Sequence, residues 1–281
     1  MAPHARAGRA WLDVPFSDNA AARASGARYD PAARRWYAPA PGLAAFARWA
    51  PVPEILPGED RGFGIGLFAD PIPSTSWFTN VRSAVSPQDW DRLRRMVYRR
   101  AGHRCEACGA RPDRGAGVFL EAHERFAYDD SRGVQALRRL IGLCTPCHAT
   151  THYGLTSKRG GGDQALTHLC AVTGMAEAEA IRHLEAAFAL WERRSQMQWE
   201  LDLSVLTGVG VGIGIVRLAG SGANRAAWAQ GRHQGSLAAA RIRTRPDDSP
   251  APRPRPVPMG SRPRPAGLGS RWERWLTTGE R

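Results

Sequence analysis

Four cysteines and three histidines carry most of the chemistry open to this chain. Cys105 and Cys108 form one Cys-x-x-Cys pair, and Cys144 and Cys147 form another. Four thiolates in two such knuckles close a tetrahedral zinc site. An ion held that way stabilises the fold directly, because binding gathers ligands that the unfolded chain keeps apart. Two disulfides, or four metal-free buried thiols, are the other arrangements open to these residues; the doubled knuckle spacing favours the ion. His123 lies between the pairs, His148 follows Cys147 directly, and His152 comes four residues later. If a helix starts at the second knuckle, His148 and His152 share one face. Glu121 and His123 share a strand face by the two-residue period. Two imidazoles and a nearby carboxylate suffice for a second cation site.

These residues need elements to position them. Pro87–Ala101 reads as a helix: Ser86 caps it, Pro87 suits its first position, and Trp90, Leu93, Met96 and Val97 form its apolar face. Arg92, Arg94, Arg95, Arg99 and Arg100 flank that face as a solvated basic surface or as phosphate contacts. Asn80–Pro87 reads as a loop, Val118–Phe126 as a strand, and Tyr128–Gly133 as a polar loop. Val134–Leu140 is a short helical or extended lead into Ile141–Leu143 and the second knuckle. After a glycine-rich loop at Gly154–Asp163, helices are expected over Gln164–Val172 and Ala176–Trp199. His168 and His183 sit on these helices without metal spacing and read as structural. Cys170 reads as a small buried hydrophobe.

The rest of the chain divides by composition. Residues 1–10 read as a flexible leader. Residues 11–51 read as a small β-α-β-β module: strand Trp11–Val14, helix Ala20–Ala24 ending at Gly26, a hairpin across Asp30–Ala33, and a second short helix at Leu43–Trp49. Tyr29, Trp36 and Tyr37 lie beside arginines and could stack bases, or could fill a very small core. Residues 52–75, rich in Pro and Gly, read as a linker ending in an ordered approach to the next domain. The run GFGIG there is half a dinucleotide fingerprint without its helix, so no small-molecule cofactor is expected. Residues 76–206 form the zinc domain, and 207–281 a disordered tail rich in Gly, Pro and Arg.

The formal net charge of +13 favours a polyanionic partner, nucleic acid first. Lys158 is the single lysine among 39 basic residues, which points to a compositional bias and weakens that argument. From residue 218 onward there are 12 arginines against four carboxylates, so much of the charge sits in the tail. The apolar stretch Val205–Val216 is too short and too Gly-rich to span a bilayer, so no membrane association is expected. The N-terminus carries no apolar run of a secretory signal. Metal-ligating cysteines fit a reducing compartment, which makes the cytoplasm the default.

Two resemblances sharpen this reading. The run from Trp11 to Pro39, with Val14-Pro15-Phe16, Gly26-Ala27, Tyr29-Asp30 and Arg35-Trp36-Tyr37, resembles a small domain of unknown function found beside plasmid and phage DNA-processing proteins. That implies company with DNA and no particular chemistry. The stretch from about Asp89 to Tyr153 resembles the HNH endonuclease family, the ββα-metal fold. The two knuckles, Leu120-Glu121-Ala122-His123 and Leu140-Ile141-x-Leu143-Cys144-x-x-Cys147-His148 carry this likeness. It implies a structural zinc on the four cysteines and a separate catalytic ion (Mg²⁺, Mn²⁺ or a second Zn²⁺). It also implies a strand histidine that activates water against a DNA phosphodiester. In one register His123 is that base, and Glu121, His148 and His152 hold the ion. In the other, His123 is a ligand and Glu124 takes the base position.

The chain departs from the family pattern at Ala122 and Glu124, and at Arg139, which stands where the family has Asn. An arginine there can hold a phosphate but cannot orient a base as Asn does. Arg139, Arg95, Arg99, Trp36 and Tyr37 are the candidate nucleic-acid contacts. Three functions remain open: an active metal-dependent nuclease, a zinc module of the same descent that binds DNA or a partner without cutting, and a structural zinc protein. The expected class is α+β: the small module, a mainly helical domain around a zinc-bound ββα core, and the tail.

Overall fold

The computed structural model describes residues 9–40, 44–77 and 79–207. The leader up to residue 8, Leu43 of the second short helix, the tail from 208 and the greater part of Val205–Val216 lie outside the described residues. Among the described residues the chain is mixed α and β, with two small sheets. No described helix is long and apolar enough to cross a membrane.

The first sheet is antiparallel with order β1-β3-β2: β1 is Ala10–Leu12, β2 Arg28–Asp30 and β3 Arg35–Ala38. A 3₁₀ turn at Phe16–Asp18 leads into helix α1, Asn19–Ala24, which crosses between β1 and β2. The Asp30 carboxylate accepts from the backbone N–H of Ala32 and Ala33 and so closes the turn into β3. Alternation on β3 buries Trp36 and Ala38 beneath the sheet. They pack with Leu12, Val14, Ala22, Phe46 and Trp49, the last two from a 3₁₀ turn at Ala44–Trp49.

Residues 52–75 are bound to the rest of the molecule, unlike the linker expected from their composition. Val52 and Leu56 are buried against Leu93 and Leu140, and Leu67 and Ala69 against Ile141 and Tyr153. Spaced single apolar residues anchor this stretch without any regular element, so no hydrophobic period announces it. A 3₁₀ turn at Ser74–Ser76 ends it. A short helix α2, Val81–Ala84, follows where a loop was expected, because Asn80 and Ser83 cap it reciprocally. Helix α3, Pro87–Arg100, agrees with its sequence signals, with Ser86 accepting from Asp89 N–H at 3.0 Å.

The second sheet has order β4-β5-β6: a long hairpin of β4, Leu120–Asp129, and β5, Val134–Cys144, with β6, Glu200–Asp202, parallel to the start of β5. The whole of Val134–Cys144 is strand, which resolves the helical-or-extended ambiguity: ten β4 partners pin it from Asp129 back to Leu120. The register shifts by one between Arg125 and Phe126, leaving Arg138 as the extra residue of a bulge. One face of the hairpin, with Ala122, Phe126, Leu137 and Leu140, packs on α3. The other, with Ile141 and Leu143, packs on α4 (Thr145–Thr151), α5 (Tyr153–Lys158), α6 (Gly162–Thr173) and α7 (Glu177–Arg194). A last turn, α8, covers Ser204–Thr207. The central unit is therefore a hairpin followed at once by a helix, and all the candidate metal ligands lie on it or beside it.

Candidate metal centres

The knuckles meet because the chain turns back at the end of α3. Gly102 and His103 both adopt positive φ, 61° and 54°, and deliver Cys105 to the hairpin. Cys105 N–H donates to Ala110 O and Gly109 N–H to Cys105 O, which closes the first knuckle. Glu106 ties it to β5: its backbone N–H donates to Gly142 O, and its carboxylate accepts from Gly142 N–H at 2.7 Å and from Arg139 at 2.8 Å. Cys144 is both the last residue of β5 and the N-cap of α4, and Cys147 lies in the first turn of α4. The four sulfurs lie within 4.8 Å of one another, and no disulfide joins them.

Cys108 Sγ and Cys144 Sγ are 3.6 Å apart. Zn–S bonds of about 2.3 Å place two thiolates of a tetrahedron about 3.8 Å apart, so the cluster fits a divalent cation of zinc size. Without an ion the cysteines share protons unevenly. Hydrogen bonds from the Cys144 and Cys147 thiols pull the Cys105 thiol far down. The hydrogen bond to Cys105 pushes Cys144 up to about 12, and Cys147 higher still. Four thiolates cannot coexist there without a cation. His168 of α6 adds a contact absent from the spacing argument: its Nε2 lies 3.1 Å from Cys147 Sγ. With its Nε2 protonated, this imidazole would donate to the sulfur and fix the orientation of that ligand.

On the same unit, a second group of donors converges. Glu121, His123 and Arg125 share one face of β4, the face covered by α4. His148 lies on α4 and His152 is the residue where α4 passes into α5. The ring centroids of His123, His148 and His152 are 4.7 to 5.3 Å apart, and one ring nitrogen from each lies within 4.8 Å of the others. His148 Nδ1 is 3.1 Å from a Glu121 oxygen. His123 Nε2 is buried and makes no hydrogen bond among the described residues. Such an orphaned lone pair or N–H costs free energy unless something fills its valence.

A carboxylate outside the expected set completes the group. Asp70 reaches under the histidines, with Oδ2 3.8 Å from His123 Nε2 and 3.6 Å from Arg125 Nη1. Its backbone N–H donates to Thr151 O, which fixes it to the end of α4. Sequence reasoning missed it by treating residues 52–75 as a linker. The available signal was a single charge inside an otherwise apolar and small-residue run from Gly62 to Asn80. Burial drives the Asp70 carboxyl upward, against the pull of Arg125. Burial, Arg125 and His148 hold His123 well below the ordinary imidazole range. Burial, His123 and His148 lower His152 to about 3. His123 and His152 are therefore neutral at pH 7, the form that can bind a cation or accept a proton.

Not every expected residue joins this group. Glu124 points to the opposite face of β4, where it is half-buried and accepts from Val81 N–H at 3.1 Å. Strand alternation separates it from His123, so it is not at the base position beside the histidines. Arg139 is buried and committed to Glu106 and to the carbonyl of Arg61, so it holds the knuckle and is not placed to hold a phosphate. Trp36 is a core residue of the small module and presents no stacking surface. Tyr37 lies on the outer face, edge-on to Trp11 with the Arg9 guanidinium 4.3 Å from its ring. Arg95 pairs with Asp91 within α3. Arg99 reaches Asp13 at 3.0 Å and joins α3 to the small module.

Residues 9–51 match the model of a domain of unknown function (DUF5710). The match covers the small N-terminal module and none of the hairpin–helix unit. No curated protein and no solved structure matches the chain.

Proposed function

We propose that the protein is a zinc-stabilised nuclease that hydrolyses nucleic-acid phosphodiesters, DNA first, with a divalent ion at the histidine cluster. The observation that carries this reading is the convergence of His123, His148 and His152 with Glu121 on a hairpin followed by a helix, beside a four-cysteine cluster. That is the arrangement the HNH resemblance implies.

His148, His152 and Glu121 are the residues that would hold the ion. Bound there, a divalent cation neutralises charge on the phosphodiester as the transition state forms. His123 then serves as general base. Its neutral imidazole takes a proton from the attacking water while the water oxygen bonds to phosphorus and the P–O bond to the leaving alcohol breaks. Asp70, 3.8 Å from Nε2, is a positioning residue that stabilises the imidazolium so formed. The placement of Glu124 on the far face supports this register over the one with a glutamate base. Net charge of +13 supports a polyanionic substrate.

A second reading is favoured by one observation. Arg139, at the family's Asn position, is tied to Glu106 and cannot orient His123. On that reading the unit binds DNA or a partner without cutting.

Plasmid nicking decides between them. Wild type with Mg²⁺, Mn²⁺ or Ni²⁺ is expected to nick supercoiled plasmid. His123→Ala and His148→Ala, with zinc content unchanged, are expected to lose at least about 100-fold in rate, the scale of a general base or metal ligand. No cleavage of plasmid or of a single-stranded oligonucleotide by zinc-replete wild type with any of these ions, while either is still retarded on a gel, establishes the non-cutting reading instead.

A further inference from the structure

A pocket of about 490 Å³ opens beside the histidine cluster, within the range of about 300–1,000 Å³ usual for small-molecule sites. Asp70 and His152 line it, so it is continuous with the proposed reaction centre. Its walls are otherwise apolar and aromatic, with Ile72, Trp77, Phe188 and Trp191, and Lys158 and Arg159 bring positive charge to the lining. Two of its residues, Trp77 and Leu155, are 45% and 50% exposed, large apolar surfaces left to water. Apart from Asp70 and His152, the mechanism above uses none of its lining.

We propose that this pocket receives one unpaired nucleobase of the strand whose phosphate lies at the histidine cluster, so that the protein acts on single-stranded or locally unpaired nucleic acid. The inference rests on the proposed function and extends it to the substrate's conformation. Three features select a base over other occupants. Flat aromatic walls stack on any base, since every base has a π-face. Lys158 and Arg159 complement the adjacent phosphates. Continuity through His152 means that a base seated there puts its own backbone next to the cluster. A base still stacked in a duplex cannot enter a concave pocket, so entry requires a single strand or a flipped nucleotide.

The test compares two short strands with the same number of phosphates, homothymidine and its fully abasic counterpart, by fluorescence anisotropy at physiological salt without added divalent ion. Equal charge cancels the backbone contribution, and the difference reads the bases alone. Wild type is expected to prefer homothymidine by about ten-fold, the contribution of one base–ring stack. Trp77→Ala, at an exposed position, is expected to shrink that preference several-fold with zinc content and circular dichroism unchanged. Equal binding of the two strands by wild type overturns the proposal whatever the variant does. So does a preference that Trp77→Ala leaves intact, since the bases then stack elsewhere. A retained, Trp77-dependent preference in a protein that cleaves neither plasmid nor single strand removes the hydrolysis and keeps the pocket. Nicking without the preference removes the pocket alone.

Discussion

Replacing Cys144 by serine is expected to release the ion from the cysteine cluster and to unfold the hairpin–helix unit. Cys144 ends β5, N-caps α4 and faces Cys108 across 3.6 Å. Structural zinc contributes about 10–16 kcal/mol of binding free energy in small zinc domains. Losing a ligand of such a site falls among the few mechanisms that cost more than about 4 kcal/mol. Helix α4 is too short to persist alone, so His148 and His152 lose their placement with it. Zinc per chain, measured by atomic emission, should fall from one to near zero at the cysteine site, and the thermal midpoint should drop to that of chelator-treated wild type. A Cys144→Ser protein that keeps its midpoint would show that the four sulfurs pack without a metal.

The second large effect is expected at Glu59, which belongs to neither cluster. Its side chain is fully buried and that of Arg100 is 2% exposed. The two Glu59 oxygens accept from both terminal nitrogens of Arg100 at 2.7 Å, and also from the backbone N–H of Leu140 and Leu56 at 3.1 Å. This bidentate pair ties residues 52–75 to α3 and β5. Glu59→Ala strands the Arg100 guanidinium in the interior, which costs about 3–5 kcal/mol when one partner of a buried pair is removed. The urea midpoint should fall accordingly. The double variant Glu59→Met, Arg100→Met should recover much of the loss, because two apolar chains leave no unpaired charge. A double variant no more stable than Glu59→Ala would show that Glu59 acts through its backbone contacts and not through the charge pair.

The parts of the fold that could be read from sequence were those with local causes. Helix α3 announced itself by Ser86, Pro87 and a clean apolar stripe. The two knuckles needed only their spacing. The four-residue step from His148 to His152 followed from the helical period, as did the shared face of Glu121 and His123 from the strand period. What escaped was non-local. The run Leu140–Leu143 is apolar throughout, so periodicity could not separate strand from helix; pairing with β4 decides it. Strand β6 is held by distant contacts: Trp199 packs edge-on to Tyr128, Leu201 is buried in the core, and Glu200–Asp202 lie alongside Val134–Ala136. Asp70 escaped because its role depends on where residues 52–75 lie, and four isolated apolar anchors leave no period to detect. The faces of β4 were legible, but not which of them α4 would cover, and that choice separates His123 from Glu124.

On the proposed function, one hairpin–helix unit carries two cation sites of different chemistry, one of sulfur and one of nitrogen and oxygen. Cobalt titration of metal-free protein counts the tightly bound ions per chain. Wild type should bind two ions, one with the intense thiolate charge-transfer absorption of a sulfur site and one without it. His148→Ala should bind one, with the thiolate absorption intact. One ion in both proteins would contradict the claim and leave the three imidazoles a packed cluster with no metal.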